Sequence, residues 1–302
     1  SGDSDPSSCG KALVALSIFV NKNPAFGSQV AFDALNKIFH GELYFQRGEI
    51  TYHKVLFDGI YCLLKALMKS DLLESINLYI PIIQEYVSSH SHGLRDFALM
   101  FFGSYCTEYS EVLANDLKVK VLQAALSVNE GYASIDCIKK FVKSIPKEIG
   151  EAVPSIIAMI KNRLEVNKGE TIIVEKCVLL CRSLMNSMGV DISEFVPIII
   201  QSTPPTVLIK KTHYFLELLI AIASKQEPTL MEPIAYSLIH LFSESDCLLG
   251  QRELTEQQIA QAKATLLSIA AGVQDFNQFC SKVCNEDQFK LTNLQNCLST
   301  PQ

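Results

Sequence analysis

No apolar run in these 302 residues is longer than six, Phe97 to Phe102 and Leu218 to Ala223 being the extremes. A membrane-spanning helix needs about 20 consecutive apolar residues, so no membrane association is expected. Charge is also scarce, at 19% of residues against 48% hydrophobic. Long disordered tracts have the opposite balance, so they are excluded and a substantial core is expected. Basic residues are outnumbered, leaving a net charge of −6, where a general nucleic-acid binder carries a basic domain or stripe. There is no Asn-x-Ser/Thr acceptor, and the ten cysteines are scattered through apolar stretches. That usage reads as small core residues in a reducing compartment, hence a nuclear or cytoplasmic location. The chain also lacks Gly-x-Ser-x-Gly, a phosphate-cradling Gly-rich loop followed by Lys-Ser/Thr, and a cysteine in a helix-starting, glycine-rich setting. No catalytic residue, cofactor or metal is therefore expected.

What is present is helical periodicity. From Lys54 to Lys69, Leu56, Ile60, Leu63, Leu64 and Leu67 fall on one face and Lys54, Asp58, Lys65 and Lys69 on the other. Thr255 with Gln258 forms a capping box, and Asp191 with Glu194 offers a similar start. The pattern predicts helices at 9–22, 28–39, 52–69, 71–88, 93–106, 109–128, 134–144, 147–164, 170–188, 191–201, 205–224, 228–243 and 255–283. Asn23-Pro24, Gly189 and Thr203-Pro204-Pro205 are among the turns between them. Residues 1–8 read as a polar leader or expression scar, 9–283 as a single helical-repeat domain, and 284–302 as a tail or last helix. With no initiating Met, the chain is expected to be a piece of a longer protein.

A motif recurs along this array. Tyr79-Ile-Pro81-Ile-Ile, Ala152-Val-Pro154-Ser-Ile-Ile, Phe195-Val-Pro197-Ile-Ile and Met231-Glu-Pro233-Ile each put a proline early in an apolar helix, the prolines being 73, 43 and 36 residues apart. The first interval is about two of the others, with Glu111 to Lys118 near its midpoint. A period of this length holding two helices is that of a helical-pair solenoid. Over roughly residues 30–245 the chain resembles HEAT or armadillo-type repeats, and within them the irregular arrays of importin-β and exportin-type transport receptors. The resemblance implies an all-α fold, an α-solenoid of stacked antiparallel helix pairs, whose surface binds another protein. The segment Val207 to Ile222, apolar nearly all round, is expected to be a helix packed between neighbours.

Several constellations carry possible chemistry. Cys177 and Cys181, and Cys280 and Cys284, stand four apart and share a helix face, as two metal ligands or, more simply, as core. His90 and His92 are expected to cap a helix end. His213 and Glu217, also four apart, form either an acid/base or metal pair or a buried histidine satisfied by its neighbour. Charge is uneven: Lys118 to Lys168 holds nine basic and five acidic residues, while 226–287 holds three and nine. Lys139, Lys140, Lys143, Lys147, Lys161 and Arg163 are thus the candidate partner-binding ridge, for an acidic peptide or phosphates, with a solvated helix face as the plain alternative. The expected function is a non-enzymatic scaffold or adaptor holding a partner's peptide or helix, a nuclear transport receptor segment being one form of it. A helical-repeat nucleic-acid module is the second reading.

Overall fold

A computed structural model describes residues 5–40, 45–46, 49–50, 52–70, 76–167, 170–202, 212–244 and 254–299. The described residues are helical apart from connections and one two-residue antiparallel ladder, Phe45 opposite Ile50 and Gln46 opposite Glu49. The β-branched runs at Ile172 and Ile198 lie in helices. Contacts divide the chain into two units, Ser1–Ile156 and Ile157–Gln302, so the expected array of residues 9–283 falls across both.

The first unit holds α1 (Pro6–Lys22), α2 (Pro24–Phe39), α3 (Lys54–Lys69), α4 (Ile80–Tyr86), α5 (His92–Tyr109), α6 (Asn115–Ser127), α7 (Ala133–Ser144) and the start of α8 (Val153–Val166). The polar leader proves to be partly structural. Asp5 caps α1 by accepting from the Ser8 amide at 2.9 Å, and Pro6 takes the first helical position, where its missing N–H costs nothing. Along α3 the predicted faces hold, with Leu56, Ile60, Leu63, Leu64 and Leu67 buried and the four charged positions exposed. Helices alternate in the packing: α1 lies against α3, α3 against α5 and α5 against α7. His90 and His92 do not end a helix; Ser91 is the N-cap of α5 and His92 its first residue.

The second unit holds the rest of α8, α9 (Thr171–Met188), α10 (Val196–Ser202), α11 (Thr212–Ala223), α12 (Pro228–Phe242), α13 (Glu256–Ala270), α14 (Phe276–Val283) and α15 (Gln288–Ser299). Alternation returns here: α9 packs on α11, α11 on α13 and α10 on α12. The described part of the Val207–Ile222 segment therefore lies between two helices, as its all-round apolarity requires; residues 207–211 are outside the described set. Gly189 closes α9 with φ of +65°, and the Val190 amide reaches back to the Leu184 carbonyl at 3.3 Å, a left-handed stop that favours glycine.

Three local expectations are corrected. The predicted helix 255–283 opens with the expected capping box, Thr255 and Gln258 bonding reciprocally, but stops at Ala270. Asp275 then adopts φ of +57° and accepts from the Gln278 amide, restarting the chain as α14. Asp191 does not pair with Glu194 as a capping box; its carboxylate takes the Ser193 amide and hydroxyl and the Lys225 ammonium. Pro81, Pro154 and Pro197 occupy the second position of α4, α8 and α10, whereas Pro233 sits inside α12, where the Thr229 carbonyl loses its amide partner.

Candidate functional site

The predicted basic ridge is divided by its own surroundings. On α7, Lys139 donates to Asp136 at 2.6 Å, and Lys140 meets the other oxygen of that carboxylate at 3.2 Å. Two cations thus share one anion, and both are largely covered. Lys140 turns inward because Gly103 of α5 lets α7 come close; a Cβ there would lie 3.1 Å from the Cys137 Cα. Its ammonium donates to Ser104 at 2.9 Å and to the Tyr61 hydroxyl at 3.4 Å, while Ser104 and Tyr61 bond each other at 2.8 Å. Burial pulls the Lys140 pKa down, but Tyr61 and Asp136 outweigh it and hold the ammonium above the usual lysine range. Lys143 and Lys147 are exposed. Lys161 of α8 pairs with Glu194 at 2.7 Å and lies 5.9 Å from the Phe195 ring. Arg163 is fully buried and offers a partner no surface.

The Lys140 bridge ties together α3, α5 and α7, and beside it these helices frame a cleft of about 140 Å³. Its wall is aromatic. Tyr52 lies directly over Gly93, where any Cβ would collide with the ring. Phe57 stacks at 5.2 Å on Tyr52 and edge-on at 5.0 Å to Phe97. Tyr61 joins from α3, and Tyr132, 42% exposed, from the turn before α7. Gly131 makes that turn with φ of +63°, and its Cα hydrogen side faces an Asp96 oxygen so closely that a Cβ would stand 3.3 Å away. Asp58 and Asp96 supply carboxylates and Lys54 stands at the exposed rim. Burial, then the charges of Asp58 and Asp96, push the Tyr52 hydroxyl above its ordinary pKa. The cleft therefore brings aromatic rings together with two carboxylates, and with one ammonium at its rim. Sequence periodicity marked Phe57 and Tyr61 only as part of α3; nothing in it brought Tyr52, Asp96 and Tyr132 to one place.

No family model, curated protein or solved structure matches this chain.

The other constellations have local partners. Glu217 is engaged by Arg182, whose Nε donates at 2.6 Å and whose guanidinium lies 4.5 Å from the Tyr214 ring centroid. The His213 ring lies tilted at 3.8 Å from that of Tyr214, and its buried Nδ1 has no hydrogen-bond partner among the described residues. Cys177 and Cys181 are fully buried, and burial pushes the Cys177 thiol up to about 12 and Cys181 well above the usual range. Burial also raises Cys280, to about 11, and Cys284. A thiol binds metal as the thiolate, and this environment disfavours that form. Among the described residues no three His, Cys, Asp or Glu side chains gather as a metal site, all nine cysteines are free, and no helix is long and apolar enough to cross a membrane. The second unit also carries an open trough of about 710 Å³, lined by Ser224, Pro228, Met231, Thr265, Ile269 and Val273 among others.

Proposed function

We propose that this chain is a non-enzymatic interaction scaffold whose helices are arranged as stacked pairs of the HEAT or armadillo type, and that it holds a segment of another protein. The observation that carries this reading is the alternate-helix packing: each odd-numbered helix from α1 to α7 lies against the next odd one, and the same rule returns for α9, α11 and α13. Such layering leaves successive helix ends and inter-helix clefts at the surface, which suits binding an extended or helical partner. The recurrent prolines support it too, since Pro81, Pro154, Pro197 and Pro233 all fall on the even-numbered helices.

Of the two partner classes, the placement of the basic residues favours protein. Lys139 and Lys140 are committed to Asp136, Lys161 to Glu194, and Arg163 is buried, which leaves Lys143 and Lys147 as a thin contact for phosphates. The test is capture of proteins from an extract on the immobilised chain, followed by cross-linking and titration with the captured partner in pure form. A pure partner that binds saturably, with cross-links on the helices lining the clefts, is the expected outcome. If no pure protein binds saturably, the scaffold reading fails.

A further inference from the structure

The cleft between α3, α5 and α7 has a composition that selects its occupant. At about 140 Å³ it is well below the roughly 300 Å³ at which small-molecule sites begin, and it cannot hold a helix; a single side-chain head group is the right scale. Aromatic faces carry partial negative charge and attract ammonium and guanidinium groups lying over them. The chain already does this once at the cleft wall, holding the Lys65 ammonium 6.0 Å from the Tyr61 centroid. Asp58 is exposed on α3, with no hydrogen bond or ion pair among the described residues, and Asp96 stands on α5 across the cleft. An apolar side chain would cover Asp58 without replacing its water, and an acidic one would face two like charges. A basic one meets both carboxylates and the rings together.

We propose that this cleft is a docking pocket for one arginine or lysine side chain of a protein partner, seated on Tyr52, Tyr61 and Tyr132 and paired with Asp58 and Asp96. This rests on the scaffold reading and names the chemistry its partner presents. The Lys140 bridge behind Tyr61 fixes that ring, so the wall is prepared before the partner arrives. Lys54 at the rim opposes the incoming cation, and its removal strengthens binding.

The experiment titrates the full chain, with tyrosine rings isotopically labelled, with N-acetyl-arginine amide and N-acetyl-lysine amide, using N-acetyl-glutamine amide as the neutral control. Saturable shifts at Tyr52, Tyr61 and Tyr132 with the cationic amides are expected. Asp58→Asn with Asp96→Asn weakens them roughly tenfold or more, Lys54→Ala tightens them, and Lys22→Ala, at an exposed position on the end of α1, leaves them unchanged. Circular dichroism and thermal midpoints report whether each variant is folded; if the double variant is not, Tyr132→Ala, a half-exposed position, carries the test. Shifts no larger than those from the glutamine amide, or shifts kept in folded variants, overturn the pocket. A purified partner that binds the double variant as tightly as the unaltered chain also overturns it while the scaffold reading stands. Cation binding as described, with no protein partner found, removes the scaffold reading and keeps the pocket.

Discussion

Lys140 shows how one side chain changes meaning between sequence and structure. As one of four lysines in Lys139–Lys147 it reads as a surface charge, yet its ammonium lies under the contact of three helices, bonded to Ser104, Tyr61 and Asp136. Lys140→Met leaves Ser104 and Tyr61 short of a donor in a half-buried place, which costs about 1–3 kcal/mol. Exposed Lys143→Met stays within about 0.5 kcal/mol, and urea denaturation of the two variants separates these outcomes. His240 gives a pH signature. Burial and then Lys290 hold its pKa below that of ordinary histidine, Glu244 opposing, and its buried Nε2 has no hydrogen-bond partner among the described residues. The unfolded chain therefore takes up this proton more readily than the folded one. The contribution is fully present above about pH 6.5 and is lost as pH falls from there towards the lowered folded value. The urea midpoint should drop between about pH 7.5 and pH 5.5, and His240→Gln should flatten that drop.

At the level of elements, the tightest junction is α1 on α3. A Cβ on Gly59 would stand 2.4 Å from the Gly10 carbonyl oxygen, and one on Gly10 would collide with the Val55 carbonyl. Gly59→Ala must push the helices apart, so it lowers stability by about 1–3 kcal/mol even though alanine is the better helix former. Thermal unfolding checks this; a raised midpoint would mean that the two backbones are not in contact. The helices themselves were readable because apolar residues recur at helical spacing in α3, and again at Cys177 and Cys181 of α9, and because Thr255 and Gln258 announce a start. The break in α13–α14 was not readable. It depends on Asp275 adopting a left-handed conformation, a choice that periodicity averages over. The two-residue ladder at 45–50 was missed for a similar reason, being too short for alternation to register.

For the molecule as a whole, net charge and charge placement agree. With a net charge of −6 and three of its central lysines paired to Asp136 and Glu194, the chain should give no salt-sensitive binding to short duplex DNA or RNA in fluorescence anisotropy. Binding that falls steeply as salt rises would restore the nucleic-acid reading. The candidate ridge illustrates the limit of linear charge counts: nine basic residues in one stretch are not nine open charges when Asp136 and Glu194 claim three of them and burial removes Arg163.

The sequence alone determined that the chain is helical, where helices such as α3, α7, α9 and α12 begin and end, and which face of α3 is buried, because these follow from spacing and caps within a few turns. Only the tertiary structure decided that α3, α5 and α7 lie side by side, and with that the Lys140 bridge and the cleft of tyrosines and aspartates. Those groups come from residues 52 to 140. No local periodicity relates positions so far apart; the packing of alternate helices does.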